Sequence, residues 1–246
     1  MCCLLLQVFQ PGGHDMTGRI VMGALVVAAA IGVRANPASA QQSLTVQLGA
    51  FTPRSEDARV KNDVLVTDRQ YLLFDIKDFR AMAVAGDWAV SLGEYFEAGA
   101  GFGFYQRTVP TFYADWVNAD GSEIVQDLHL RIMPLTAIVK ILPLGSKRAF
   151  QPYVGAGLGV YFWHYSESGE FVDFVDGSIF RDTFADSGTS VGPVAVFGAR
   201  GRVSSNALIG AEARLQWGKG DLSKDFLSDT IDLGGYSFLV TLGYRF

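Results

Sequence analysis

The sequence predicts an all-β chain, an eight-stranded antiparallel up-and-down transmembrane β-barrel, and three observations predict it. Apolar residues recur with a period of two in eight segments after residue 40, the spacing that puts alternate side chains on opposite faces of a strand. Long polar connections alternate with short turns between those segments, which is the layout of a meander. Charged residues share a face with glycines while the opposite face is continuously apolar, and a barrel wall in lipid keeps its charges inside.

Residues 1–40 stand apart from this pattern. Met16 to Arg19 is a short basic start, Ile20 to Val33 an unbroken run of apolar and small residues, and Ala38-Ser39-Ala40 an A-x-A cleavage site. These are the three parts of a secretory signal peptide. The run is shorter than the ~20 apolar residues a spanning helix needs, and Arg34 ends it. A start at Met16 and cleavage after Ala40 are expected, with residues 1–15 an upstream extension. Both cysteines, Cys2 and Cys3, fall in that extension, so the mature chain is expected to have no disulfide. Residues 41–246 then form one domain with 18 basic and 24 acidic residues, a net charge of −6. That balance gives no basic patch for a nucleic acid. Aromatic residues at 13% and 28 glycines fit a tight barrel with aromatic girdles.

The strands follow in order. Ser43–Phe51 sets Leu44, Val46, Leu48 and Ala50 against Thr45, Gln47 and Gly49. Thr52–Asp78 is a charged connection whose second half is apolar enough to extend the flanking strands or fold over the barrel mouth. Phe79–Ser91 and Tyr95–Arg107 flank a turn at Leu92–Glu94, with glycines at 99, 101 and 103 leaving space for large neighbours. Thr108–Asp127 is read as a long loop, and Leu128–Leu142 as the fourth strand with a bulge at Pro134. After the turn Pro143–Arg148 come Phe150–Tyr165, the long acidic connection Ser166–Gly188, Ser190–Val203, the turn Ser204–Asn206 and Ala207–Gly218. Lys219–Leu233 is the last long connection before Gly234–Phe246.

The final stretch reads GGYSFLVTLGYRF, with Tyr244 and Phe246 on its apolar face. It resembles the C-terminal closing strand of bacterial outer-membrane β-barrels, whose terminal aromatic is read by the barrel assembly machinery. The mature chain as a whole resembles the small eight-stranded outer-membrane β-barrel proteins. That resemblance implies location in the cell outer membrane, outer-membrane lipids and the assembly machinery as partners, and a monomer. A soluble barrel of the lipocalin kind would instead keep its apolar face inside. Glu97, Arg107, Arg131, Lys140, Glu212, Arg214 and Arg245 are read as a polar lumen network, with His129 a further member. An eight-stranded barrel is just wide enough for side chains to fill, which argues against an open porin channel. Tyr105, Tyr161, Trp163 and Trp217 lie near predicted strand ends, where girdles belong, although the first three have inward parity.

Little in the chain carries chemistry. His164 and Ser166 are two apart on one strand, so they share a face, and a carboxylate such as Glu170 or Asp176 would complete a general-base arrangement. The pair is similar to the His-x-Ser of lipid A deacylating outer-membrane barrels, which would make His164 the base and Ser166 the nucleophile. Asp173, Asp176, Asp182 and Asp186 lack EF-hand spacing, and no cofactor or metal motif is present. The expected role is structural, adhesive or envelope-stabilising, without enzymatic activity. The alternatives are a lipid A-type acyl hydrolase, a narrow small-solute pore and a soluble periplasmic ligand-binding barrel.

Overall fold

The computed structural model describes residues 41–246; the signal peptide, the Met16 start, the Ala40 cleavage position, Cys2 and Cys3 lie outside the described residues. Eight strands form a closed ring: β1 (Gln42–Pro53), β2 (Ala81–Ser91), β3 (Phe96–Val117), β4 (Glu123–Ile141), β5 (Phe150–Val172), β6 (Ile179–Arg202), β7 (Ala207–Gln216) and β10 (Gly235–Arg245). Between β7 and β10, β8 (Lys219–Asp221) and β9 (Thr230–Asp232) make a separate antiparallel hairpin. Each barrel strand pairs antiparallel with its chain neighbours, and β1 meets β10 from Ser43↔Arg245 to Pro53↔Gly235, so no edge is left.

The short turns fall where the sequence places them, but two of the long connections do not. Residues 108–127 and 166–188 are mostly strand: β3 and β4 continue to a turn at Asn118–Ser122, and β5 and β6 continue to one at Asp173–Ser178. The result is a pair of tall hairpins rising from one side of the ring. Within 52–78 the chain extends β1 only through Thr52 and Pro53 and does not extend β2. It forms the short helix α1 (Val64–Asp68), whose first turn is capped by the Asp63 carboxylate accepting from Val66 N, and then runs along the upper part of β3 through Leu73 N to Phe112 O (2.9 Å) and Ala114 N to Tyr71 O (2.8 Å).

Pro134 makes no bulge. Pairing between β3 and β4 lapses opposite Met133 and Pro134, where proline has no N–H to give, but resumes in the same register, Phe102↔Leu135 below and Tyr105↔Ile132 above. The register shift in this hairpin lies higher, between Phe112 and Val117. Side-chain parity on β4 is therefore continuous, and Ile124, Gln126, Leu128, Leu130, Ile132, Thr136 and Ile138 are all buried on the inner face.

That continuity exposes a reversal of polarity along the wall. In the lower barrel the outer face is apolar and open: Val46, Leu135, Leu158, Phe162, Phe197 and Val240 are all exposed, Leu158 by 59%. At ~25 cal/mol per Å², and over a patch far larger than a soluble monomer carries, this surface belongs against hydrocarbon rather than water. Above the level of Phe102, Met133 and Phe162 the outer face becomes Thr108, Asp127, Ser168 and Thr183, while Tyr105, Val109, Tyr113, Leu128, Leu130 and Tyr165 turn apolar side chains inward.

Candidate functional site: the filled lumen and the cap above it

The lower lumen is crossed by ion pairs. Lys140 Nζ lies 3.0 Å from Glu212 Oε2, and Arg214 Nη2 lies 3.0 Å from Asp87 Oδ2 and 2.8 Å from Glu212 Oε1. Gln47 Nε2 donates to Asp87 at 2.6 Å and the Tyr153 hydroxyl to Glu212 at 2.9 Å. Nearer the short turns Arg200 pairs with Glu97, and Arg245 Nη2 stands 3.7 Å from the same carboxylate. Gln151 Oε1 accepts from both arginines, at 2.9 and 3.2 Å. Glycines clear the space: a Cβ on Gly101 would collide with the Asp87 carboxylate, and one on Gly198 with the Tyr153 ring. Voids of about 30 Å³, beside Tyr105 and Arg214, and about 10 Å³, between Asp87 and Lys140, remain. The larger has room for a water or two and the smaller for one at most.

Of the residues assigned to the lumen from sequence, the structure brings together Glu97, Lys140, Glu212, Arg214 and Arg245. Arg131 is not among them: with no bulge at Pro134 it has the outward parity of Met133 and Leu135, and His129 shares it. Arg107 keeps the inward parity but is exposed at the upper rim, where its Nε donates to the Asp78 carbonyl. Sequence reading missed Asp87, Arg200, Gln47, Gln151 and Tyr153 as members. Arg200 was findable, since it sits two residues from Gly198 on one face, the same glycine-next-to-charge signal that marked Glu97.

Above the ion pairs the bore is stoppered. Tyr105, Tyr161 and Trp163 are not girdle residues; they are buried on the inner face. Over them Val64, Leu65 and Phe79 from the first connection meet Tyr165, Leu128 and Ile132 of the wall and Phe226, Ile231 and Leu233 of the last connection in one apolar cluster. Arg54–Asp232 (2.8 Å), Arg59 Nη2 donating to the Asp232 carbonyl (3.0 Å) and Asp232 N donating to Asp63 tie the two connections together, and Arg59 pairs with Asp63 (2.7 Å) within the first. Inside this cap lie two carboxyl groups with no cation beside them among the described residues. Asp68 accepts from the Tyr165 hydroxyl at 3.0 Å, and Glu167 accepts from Gln126 Nε2 at 3.1 Å. Burial, reinforced by the charge of Glu167, holds Asp68 well above the ordinary carboxyl range, and burial pushes Glu167 up to about 7.

His164 and Ser166 do share the outer face of β5, as their spacing requires. Among the described residues no hydrogen bond joins them. Glu170 is bonded by Asn118 Nδ2 (3.3 Å), and Asp176 accepts from Ser178 N (2.9 Å) in the hairpin turn. Glu167, nearer in sequence, faces the opposite way. Among the described residues no cluster of three or more histidines or acids is placed to hold a metal. Tyr244 and Phe246 are exposed on the outer face with their ring centroids 6.3 Å apart, and Phe246 closes the seam through two backbone bonds with Gln42.

Comparison with solved structures places this architecture. The outer membrane protein OprG from Pseudomonas aeruginosa superposes with a TM-score of 0.52 over 85% of this chain and 96% of its own, at 11% identity. The fold is that of a small outer-membrane β-barrel. The attachment invasion locus protein Ail of Yersinia pestis, solved with the heparin analogue sucrose octasulfate, is a looser likeness: TM-score 0.44, 14% identity, 84% of this chain and 98% of that one. No family model and no curated protein sequence matches the chain. At these identities the likeness is one of fold.

Proposed function

We propose that this chain is an integral outer-membrane protein whose barrel is a closed anchor for an ordered extracellular cap, and that its role is structural or adhesive, exercised through the tall β3–β4 and β5–β6 hairpins and the capping connections. The observation that carries this reading is the filled bore: the Lys140–Glu212–Arg214–Asp87 ion pairs lie beneath a stopper of Leu65, Phe79 and Tyr165. A channel would need those charges separated by water. The exposed apolar wall supports insertion in lipid, and Tyr244 and Phe246 are the residues the assembly machinery would engage. The test is outer-membrane fractionation with gel migration before and after boiling, followed by planar-bilayer recording. Membrane partition, a faster unboiled form and no conductance are expected. Recovery in the soluble periplasmic extract without a migration shift would overturn the reading, and steady conductance would replace the closed anchor with a pore.

A further inference from the structure

The polarity reversal leaves one group of side chains in an unusual place. On the outer wall, in the first rows above the apolar band, Arg131 lies directly opposite His164 across β4 and β5, and His129 lies opposite Ser166. Across β3 and β4 the same two residues face Gln106 and Thr108. Directly opposed side chains on one face are ~5 Å apart. The His129 and His164 ring centroids are 6.1 Å apart, and Thr108 Oγ1 is 2.9 Å from His129 Nδ1. These six residues therefore form one continuous polar grid, rich in N–H and O–H groups and free of carboxylates.

Its electrostatics are also distinct. Arg54, Arg59 and Arg69 in the capping connections each pair with a carboxylate. Arg131 makes no ion pair among the described residues, and its Nε is shut from water with no hydrogen-bond partner. The nearest acids on this face are Asp127, the next outward residue beyond His129, and Glu170, two outward positions beyond Ser166 and bonded to Asn118. On β6 the residues opposite His164 and Ser166 are Ser187 and Ala185. A guanidinium without a carboxylate partner is matched by a planar or tetrahedral oxyanion.

Depth selects the source of that anion. Two residues below Arg131 and His164 the outer face is Met133 and exposed Phe162, then Leu135 and Val160. At ~3.3 Å per residue, the grid stands ~7 Å above the apolar wall, at the level of headgroups rather than of bulk solvent.

We propose that the Arg131–His129–His164 grid is a binding site for the phosphate of an anionic lipid headgroup in the outer leaflet. The site rests on the membrane reading above and adds to it a preference for one class of lipid. It also gives His164 and Ser166 a role as ligands that needs no third catalytic partner.

The experiment reconstitutes the full chain into phosphatidylcholine bilayers containing a small fraction of spin-labelled phosphatidic acid and measures the motionally restricted fraction of label. The wild-type protein is expected to enrich phosphatidic acid about fivefold over labelled phosphatidylcholine, the ratio that one arginine near a membrane surface supplies. R131Q is expected to abolish most of that enrichment and H164Q part of it. K219Q, the same change of charge in a distant exposed hairpin, is expected to leave it intact. Boiling-dependent migration of each variant establishes that the barrel is folded. Equal enrichment by wild type and R131Q, or equal loss in K219Q, overturns the site. Loss of enrichment when inorganic phosphate is added at the bulk concentration of the labelled lipid assigns the grid to a soluble anion instead, and overturns the lipid assignment. A chain that fails to enter bilayers of either composition overturns the membrane reading itself, a result separate from any lipid preference.

Discussion

Below Pro134, β4 turns Leu135, Val139 and Ile141 outward and Thr136 and Lys140 inward; above it the same strand turns Arg131, His129 and Asp127 outward and Ile132, Leu130 and Leu128 inward. Register is unbroken, so the backbone does nothing to cause the change. The surroundings do. Where the outside is hydrocarbon, the lumen is the polar side and is filled with compensated charge. Where the outside is water, the wall behaves as a soluble sheet and encloses an apolar core. β5 repeats the reversal, from Leu158 and Phe162 outward to Tyr165 inward, and so does β3, from Phe102 outward to Tyr105 and Val109 inward. The two regions also differ in how they bury carboxylates: the lower lumen pairs its acids with arginine and lysine, whereas the cap pairs Asp63 and Asp232 with arginines but keeps Asp68 and Glu167 with no cation beside them among the described residues.

The largest effect is expected where compensation is removed. Arg214→Met leaves Asp87 and Glu212 sharing Lys140 alone, and removing one partner of a buried pair costs about 3–5 kcal/mol. Urea unfolding in lipid vesicles, followed by tryptophan fluorescence, should show that loss. A cost under ~1 kcal/mol would mean that the lumen is hydrated enough to screen the pair.

Leu158→Arg places a charge on the lipid-facing wall and should cost about 2–4 kcal/mol in the same assay. A value near zero would erase the distinction between the two regions.

The uncompensated acids make a pH-dependent prediction. Glu167 has its pKa raised on folding from 4.5 to about 7, so the native cap holds a proton that the opened cap releases. The share of cap stability that Glu167 contributes is therefore full below about pH 4.5 and is lost as pH rises through 7, about 3 kcal/mol at 1.36 kcal/mol per unit, and the raised carboxyl of Asp68 adds a loss of the same sign. Amide exchange of α1 and of β5 near Tyr165 should accelerate across that window, and Glu167→Gln should weaken the dependence, leaving the part that Asp68 contributes. A cap whose exchange slows with rising pH, after correction for the intrinsic rate, would contradict the assignment.

The smallest effect is expected at Ser168→Arg, an outward position in the upper hairpin. It should change stability by no more than ~0.5 kcal/mol, as for an ordinary soluble surface.

The reversal also explains what was legible in the sequence. Period-two alternation with the apolar set outward located all eight barrel strands, because in the lower barrel lipid and lumen make opposite demands on adjacent residues. In residues 108–127 and 166–188 the alternation persists, but its apolar set has changed face, so it no longer matches the strand below and reads as loop. On β4 the same change mimicked a one-residue slip. Assigning a bulge to Pro134 kept Arg131 and His129 on the side of Lys140 and concealed the outer-wall grid. The five lumen residues found from sequence are those flanked by glycines or alternating with a strongly apolar face. Asp87 and Gln151 were passed over because charge balance across a barrel depends on which strands face one another over the bore, and local sequence does not carry that.

The most direct test of the reversal uses the absence of cysteine from residues 41–246. A single cysteine placed at Leu158, and another at Ser168, ten positions apart on the outer face of one strand, would each carry a bimane label in bilayers of brominated phosphatidylcholine. Strong quenching at 158 and little at 168 is the expected result, with the boundary falling between Phe162 and His164 when the intervening outward positions are scanned. Equal and weak quenching at both sites would contradict it, because the apolar wall would then not face lipid.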